Sequence, residues 1–189
     1  MLKKICGFFL LTVARWRLEG NLPDEPKQYV VIAAPHTSNW DFVYAMLLKG
    51  YWGIKVTFLG KAELFRPPFG WLFRSLGVLP VDRSKHSNTV AAAVDLFKQE
   101  PNLRLALAPE GTRAFSPQWK TGFYHIAVEA KVPIIMTLID YEHRVLKFTA
   151  PYYPTGDEAV DFEFIAAQYR GIKGKYPELG TYSMQEKVN

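Results

Sequence analysis

A chain of 189 residues with 49% hydrophobic and 22% charged side chains has the composition of one globular domain, which excludes an intrinsically disordered protein. The net charge of +5 suits phosphorylated ligands or an anionic membrane surface, whereas no basic run is dense enough for a dedicated nucleic-acid strip. The single cysteine, Cys6, excludes an intrachain disulfide and is predicted to be a small buried hydrophobe.

The N-terminus combines basic and apolar residues in an order typical of membrane-associated segments. Two lysines precede an apolar run over residues 5–14, and an Arg-Trp-Arg triplet follows it. The run is too short to cross a bilayer, which takes about 20 residues, and the basic triplet argues against signal-peptide cleavage there. We predict an interfacial or packing helix over residues 1–20, with the interfacial form favoured by the basic ends, and a single domain over residues 21–189.

Short apolar runs along the rest of the chain predict buried β-strands. The predicted strands are residues 29–34, 55–59, 78–81, 104–108, 133–140 and 144–152. The last of these alternates between apolar and polar residues and is expected at a sheet edge.

Helical segments lie between these strands. The predicted helices are residues 40–49 stopped by Gly50, residues 87–100 capped by Ser87 and halted by Pro101, and residues 120–130. Strands that alternate with helices predict an α/β fold with one largely parallel central sheet and helices on both faces. Ligands of such sheets bind at the carboxyl ends of the strands, so functional residues should follow strands directly.

The first such segment carries His36 and Asp41, directly after the predicted strand 29–34. A carboxylate in the first helical turn can reach the histidine ring, hold one tautomer and stabilise the imidazolium that forms when the ring takes a proton. The segment from Ser38 to Asp41 fits a helix capping box equally well, so these residues alone leave both interpretations open.

Two further segments follow strands and carry cations. Lys61 and Arg83 come directly after two predicted strands and could present positive charge to a phosphate. The aromatic residues between them suit either the core or a lipid-facing lip. The third segment places Gly111 and Arg113 after the strand 104–108, where glycine allows close approach of the backbone to a ligand and arginine offers paired donors.

Together these segments resemble the glycerolipid acyltransferase family, which includes 1-acyl-glycerol-3-phosphate acyltransferases. Four blocks match the family in order over residues 30–140. They are His36-x4-Asp41, Lys61-Ala62-Glu63-Leu64 through Val81-Asp82-Arg83, Pro109-Glu110-Gly111-Thr112-Arg113, and Val132-Pro133-Ile134-Ile135. Lys120-Thr121-Gly122 is also similar. The family usually has asparagine before the histidine, whereas this chain has Pro35.

The resemblance implies direct acyl transfer without an acyl-enzyme and without a cofactor or metal. His36 would be the general base, Asp41 would orient it, and acyl-CoA or an acyl carrier protein would be the donor. The implied acceptor-binding residues are Lys61, Arg83, Glu110, Gly111, Thr112 and Arg113. Glu110 would hold an acceptor hydroxyl or a neighbouring cation, and backbone N–H groups near the helix after Thr37 would stabilise the oxyanion.

The expected acceptor is the hydroxyl of a lysophospholipid, although Pro35 and the predicted absence of transmembrane helices leave another hydroxylated lipid open. The expected location is the cytoplasm, peripheral on the inner face of the membrane. The alternatives are a non-catalytic lipid-binding domain and a thioesterase-like enzyme in which water replaces the acceptor. A serine hydrolase elbow, a nucleotide-binding P-loop and an H-E-x-x-H metal motif do not occur in the sequence.

Overall fold

The fold is that of a computed structural model, which describes residues 1–81 and 86–181, apart from the side chains at positions 61, 81 and 86–88. Within these residues, seven strands form one sheet in the order β1-β7-β6-β2-β5-β3-β4. They are β1 (Arg17–Glu19), β2 (Tyr29–Ala34), β3 (Thr57–Lys61), β4 (Val78–Val81), β5 (Arg104–Leu107), β6 (Ile134–Asp140) and β7 (Val145–Phe148). All neighbours are parallel except β6 and β7.

Helices cover both faces of the sheet. They are α1 (Leu2–Gly7), α2 (Asn39–Trp52), α3 (Gly70–Ser75), α4 (His86–Gln99), α5 (Gly122–Ala130) and α6 (Glu158–Gln168), with a π-helix at Phe8–Val13 and 3-10 turns at Ala62–Phe65 and Pro177–Leu179. Val30 and Ile32 of β2 pack under α4, α5 and α6, whereas Tyr29 and Val31 face the opposite side of the sheet. The predicted fold class is therefore confirmed.

Strand β2 has the predicted bounds, because its six residues are all buried or nearly so between two helical layers. The predicted edge position of the segment 144–152 is wrong. The strand within this segment, β7, pairs antiparallel with β6 on one side and parallel with β1 on the other. Residues 17–19 take the edge instead, so the N-terminal segment contributes a strand to the main sheet.

The predicted end of helix 40–49 at Gly50 is also wrong. Helix α2 continues to Trp52 and ends at Gly53, which has the left-handed φ of 70°. Gly50 lies inside the helix, at the point where α1 crosses it. Glycine is needed there because a Cβ atom at this position would stand 2.5 Å from Cys6 Sγ. Its role is close packing of two helices, which local sequence does not reveal.

The N-terminal helical segment has one packed face and one exposed face. Cys6 and Leu10 are buried, and α1 lies against α2, so Cys6 is the buried hydrophobe that was predicted. Ile5, Phe8 and Phe9 are about half exposed. Across residues 1–81 and 86–181, the helices are all too short or too polar to cross a membrane. The predicted helix over residues 1–20 is wrong at residues 17–19, which form the strand β1, and the domain division at residue 20 stays a prediction.

Candidate active site

His36 and Asp41 form a hydrogen-bonded pair at the carboxyl end of β2. The His36 ring lies on the loop between β2 and α2, and its Nδ1 is 2.9 Å from Asp41 Oδ2. The Asp41 side chain is 3% exposed, whereas that of His36 is 25% exposed. Because Nδ1 faces the carboxylate, the proton sits there and Nε2 is the nitrogen left to act on a ligand.

The helix cap and the contact with His36 use the same Asp41 carboxylate at the same time. The Ser38 N–H donates to Asp41 Oδ2 at 2.9 Å, and the Ser38 hydroxyl accepts from the Trp40 N–H at 3.2 Å. These bonds start helix α2 and fix the Asp41 rotamer. The cap therefore prepares the carboxylate for His36.

These same bonds bear on the expected oxyanion donors. The N–H groups of Ser38 and Trp40 are already engaged with Asp41 and with the Ser38 hydroxyl. In this geometry they do not stabilise an oxyanion, so the expectation is not met at these two positions.

Glu110 lies beneath the histidine loop. It is 3% exposed, and its Oε1 accepts the His36 N–H at 3.1 Å. Burial raises the pKa of Glu110 above its ordinary value, and the bond from the His36 N–H partly offsets this. Glu110 thus supports the backbone of His36, and its predicted contact with an acceptor stays a prediction.

The segment after Glu110 brings cations to the start of α2. Gly111 has a φ of 66°, a left-handed conformation that suits glycine, and the Lys120 side chain packs over it. Arg113 donates from its guanidinium to Asn39 Oδ1. The exposed Thr112 accepts the Ala114 N–H through its hydroxyl at 3.2 Å. Glu110, Gly111 and Arg113, predicted to share one site, therefore lie beside the His36 loop.

The other two predicted cations are not placed by the structure. Lys61 ends β3, but its side chain is outside the description, and Arg83 lies outside the described residues altogether. The aromatic residues between them lie in different surroundings. Phe69 and Trp71 are 62% and 71% exposed, whereas Phe73 lines a cavity.

That cavity has a volume of about 1350 Å³, and His36 and Asp41 are among the residues that line it. Most of its accessible wall is apolar, and the wall residues come from both sides of the carboxyl edge of the sheet. Representative residues are Phe42, Phe58, Phe73, Val90 and Ile126. Binding pockets for small molecules are typically about 300–1,000 Å³, so this space suits a long apolar group.

Sequence reasoning missed Tyr141. The Tyr141 hydroxyl donates to Asp41 Oδ1 at 2.5 Å; the available signal was its place directly after the predicted strand 133–140. His125 is exposed on α5 and lines the cavity. In His143, the Nδ1 atom lies 2.7 Å from Asp140 Oδ2. In the part of the chain that the structure describes, no cluster of potential metal ligands occurs.

The chain belongs to the Acyltransferase family, whose model matches residues 15–139. The 1-acyl-sn-glycerol-3-phosphate acyltransferase of Salmonella typhimurium is 34% identical over 127 residues, which are 63% of this chain and 51% of that protein. The enzyme of the same name from Streptococcus pneumoniae is 32% identical over 137 residues, 67% of this chain and 50% of that protein. The chain thus spans about half the length of these curated relatives.

The fold is also that of a solved structure. The crystal structure of the 1-acyl-sn-glycerophosphate (LPA) acyltransferase PlsC from Thermotoga maritima is similar, with a TM-score of 0.55 at 21% identity, over 83% of this chain and 69% of that one. At this identity the likeness concerns the fold.

Proposed function

We propose that this protein is a lysophospholipid-type O-acyltransferase, which moves a fatty acyl group from the thioester of coenzyme A or an acyl carrier protein to a lipid hydroxyl. One observation carries the proposal: a hydrogen-bonded His36–Asp41 pair lines a large apolar cavity. A lipid-binding domain has a use for the cavity but none for a histidine held in one tautomer by a buried carboxylate.

In this mechanism Nε2 of His36 removes the proton from the acceptor hydroxyl. The oxygen attacks the thioester carbonyl carbon, the C–S bond of the tetrahedral intermediate breaks, and the thiolate takes the proton back from the imidazolium ring. Asp41 stabilises that imidazolium while both charges are present. The products are an ester and a free thiol, with no net proton change.

The cavity is the proposed site of the acyl chain. Each buried methylene contributes about 0.8 kcal/mol of transfer free energy, and the apolar wall starts next to His36, where the thioester carbonyl must lie. We also propose that the acceptor headgroup lies near Arg113, which reaches the first residue of α2, with Lys61 and Arg83 as further predicted contacts.

The headgroup proposal is tested with Arg113→Ala. Loss of a phosphate contact should raise the KM for lysophosphatidic acid and leave kcat nearly unchanged, because the contact is equally strong before and during reaction. Arg170→Ala, an exposed arginine just after α6, is the matched control. An unchanged KM for Arg113→Ala would remove the phosphate role.

We further propose that the protein binds the inner face of the membrane through its N-terminal segment. Phe8, Phe9 and Val13 are 49–56% exposed, and lysines precede them, an arrangement that inserts rings at the headgroup level of anionic bilayers. Phe8→Ser with Phe9→Ser should reduce sedimentation with vesicles of phosphatidylglycerol. Val160 is equally exposed but lies in the helical layer on the opposite face of the sheet, so Val160→Ser should not reduce sedimentation. Equal binding by both variants would contradict the proposal.

Acyl transfer itself is tested by thiol release from a long-chain acyl-CoA, measured with and without lysophosphatidic acid. The proposal predicts release that requires the acceptor. Release that is equally fast without the acceptor would indicate a thioesterase instead. The same assay with acyl carrier protein separates the two donors.

A further inference from the structure

Tyr141 occupies the position at β6 that corresponds to the His36 loop at β2. The two strands are parallel neighbours, so their carboxyl ends place both residues at one edge of the sheet. The Tyr141 hydroxyl donates to Asp41 Oδ1 at 2.5 Å, while His36 and the Ser38 N–H use Oδ2. Both carboxylate oxygens are therefore held, each by a different part of the chain.

Packing holds the phenol ring in place. Its centroid is 4.9 Å from that of Trp16 in an edge-to-face contact and 6.2 Å from that of Tyr44. The Tyr141 N–H donates to the carbonyl of Lys173 at 2.9 Å. The ring is thus fixed by the N-terminal segment, by α2 and by the segment after α6.

The hydroxyl stays a donor at every working pH. Burial, followed by the bond to Asp41, raises the pKa of Tyr141 well above its ordinary value. A neutral donor spreads the negative charge of Asp41 without cancelling it, so the carboxylate can still pair with an imidazolium ring.

We infer that Tyr141 is a positioning residue for acyl transfer, which fixes the Asp41 carboxylate so that Oδ2 meets Nδ1 of His36. Without the hydroxyl, Oδ1 loses its donor, and only the bonds that the Ser38 N–H and His36 make to Oδ2 still orient the carboxylate. The His36 tautomer is then less strictly held. This inference rests on the proposed function, and it adds a residue beyond the segment that matches the family, which ends at residue 139.

The chain offers a matched control. Tyr152 also donates its hydroxyl to a buried carboxylate at 2.5 Å, that of Asp161, but no histidine adjoins that carboxylate among its described partners. Tyr141→Phe and Tyr152→Phe therefore remove the same chemical bond from two places. Both variants keep the ring, and thermal unfolding checks that both remain folded.

Steady-state kinetics give the first readout. Tyr141→Phe should lower kcat by about tenfold or more, as expected for loss of a hydrogen bond to a charged group, with little change in either KM. Its acidic pH limb should move to higher pH, because a carboxylate with one donor fewer holds the imidazolium proton more strongly. The charged or titratable groups around the pair, namely Glu110, Tyr44 and Tyr176, are the same in both variants. Tyr152→Phe should keep the wild-type kcat and profile.

Proton NMR gives a readout that does not need acyl transfer. The proton on His36 Nδ1, identified by its loss in His36→Gln, should change chemical shift in Tyr141→Phe and not in Tyr152→Phe. A wild-type kcat and pH limb in Tyr141→Phe, or an unmoved Nδ1 resonance, would overturn the inference. If the wild-type protein transferred no acyl group but the resonance moved only in Tyr141→Phe, the proposed function would fail while the positioning of the pair by Tyr141 would stand.

Discussion

Asp41 and Asp161 are both buried and both accept a tyrosine hydroxyl at 2.5 Å, but their remaining partners differ. Asp161 also accepts from the hydroxyl of Tyr124 and from two backbone N–H groups at residues 155 and 156. Asp41 accepts from a histidine that lines the cavity.

The difference lies in what each carboxylate holds. Asp161 ties the start of α6 to α5 and to the segment after β7, and its described partners are neutral groups of the fold. Asp41 holds an imidazole ring that lines the cavity. Burial and many hydrogen bonds thus occur at both carboxylates, and only the partner's access to a ligand distinguishes the proposed catalytic one.

The sharpest way to test this comparison is to replace each aspartate with asparagine. Asp41→Asn should lower kcat by up to about 10⁴-fold, the order of magnitude seen when a catalytic histidine loses its orienting carboxylate, because the amide can favour the wrong tautomer. The variant should also be less stable, because the amide leaves the Tyr141 hydroxyl or the Ser38 N–H without an acceptor, so turnover is compared per folded molecule. Near wild-type turnover in Asp41→Asn would end the assignment of a catalytic pair.

Asp161→Asn should lower stability without lowering turnover. The amide group faces hydroxyl and N–H donors and leaves some of them without an acceptor, which should lower the free energy of unfolding by roughly 3 kcal/mol. Activity per folded molecule should be unchanged. Urea unfolding with a parallel kcat measurement checks both points, and a large fall in kcat at wild-type stability would refute the structural role.

Protonation of Asp161 should contribute to the loss of stability of the protein in acid. Burial raises the pKa of Asp161, but hydrogen bonds from Tyr152, Thr155 and Tyr124 lower it to about 2 from the ordinary value of 3.8. A folded-state pKa below the unfolded one stabilises the protein above pH 3.8, and this contribution is lost as pH falls through about 2. Relative to the wild type, Asp161→Asn should show a smaller fall in stability over that window; identical slopes would contradict this.

The smallest effect is expected for Tyr152→Phe. It removes one of several donors to Asp161, and the free energy of unfolding should fall by about 1–2 kcal/mol. Turnover should stay at the wild-type value. A loss larger than that of Asp161→Asn would contradict this account of Asp161, because Tyr152→Phe removes only one of its donors.

Local sequence was sufficient wherever one segment contained the whole signal. Strand β2 was predicted with its bounds, since a six-residue apolar run admits little else, and His36 with Asp41 lies within one loop and one helical turn. The capping box and the histidine partner seemed to compete for Asp41, yet its Oδ2 serves both.

Predictions failed where distant segments decide the outcome. Gly50 looked like a helix end, but it is the point where α1 approaches. The strand β7 looked like an edge because nothing local indicates that residues 17–19 pair with it. Tyr141 reaches Asp41 across 100 positions in sequence, a contact that follows from sheet order and not from any motif.

The most direct test of the account is to follow a labelled acyl chain from donor to product. Palmitoyl-CoA and palmitoyl acyl carrier protein are each offered with a mixture of lysophospholipids that includes lysophosphatidic acid, and esters are identified by mass spectrometry. His143→Ala is the control, because His143 also pairs with an aspartate, at 2.7 Å, but does not line the cavity. We predict labelled diacyl product with wild-type protein and His143→Ala, and none with His36→Ala. Equal product from His36→Ala, or no labelled product from the wild type with either donor, would contradict the account.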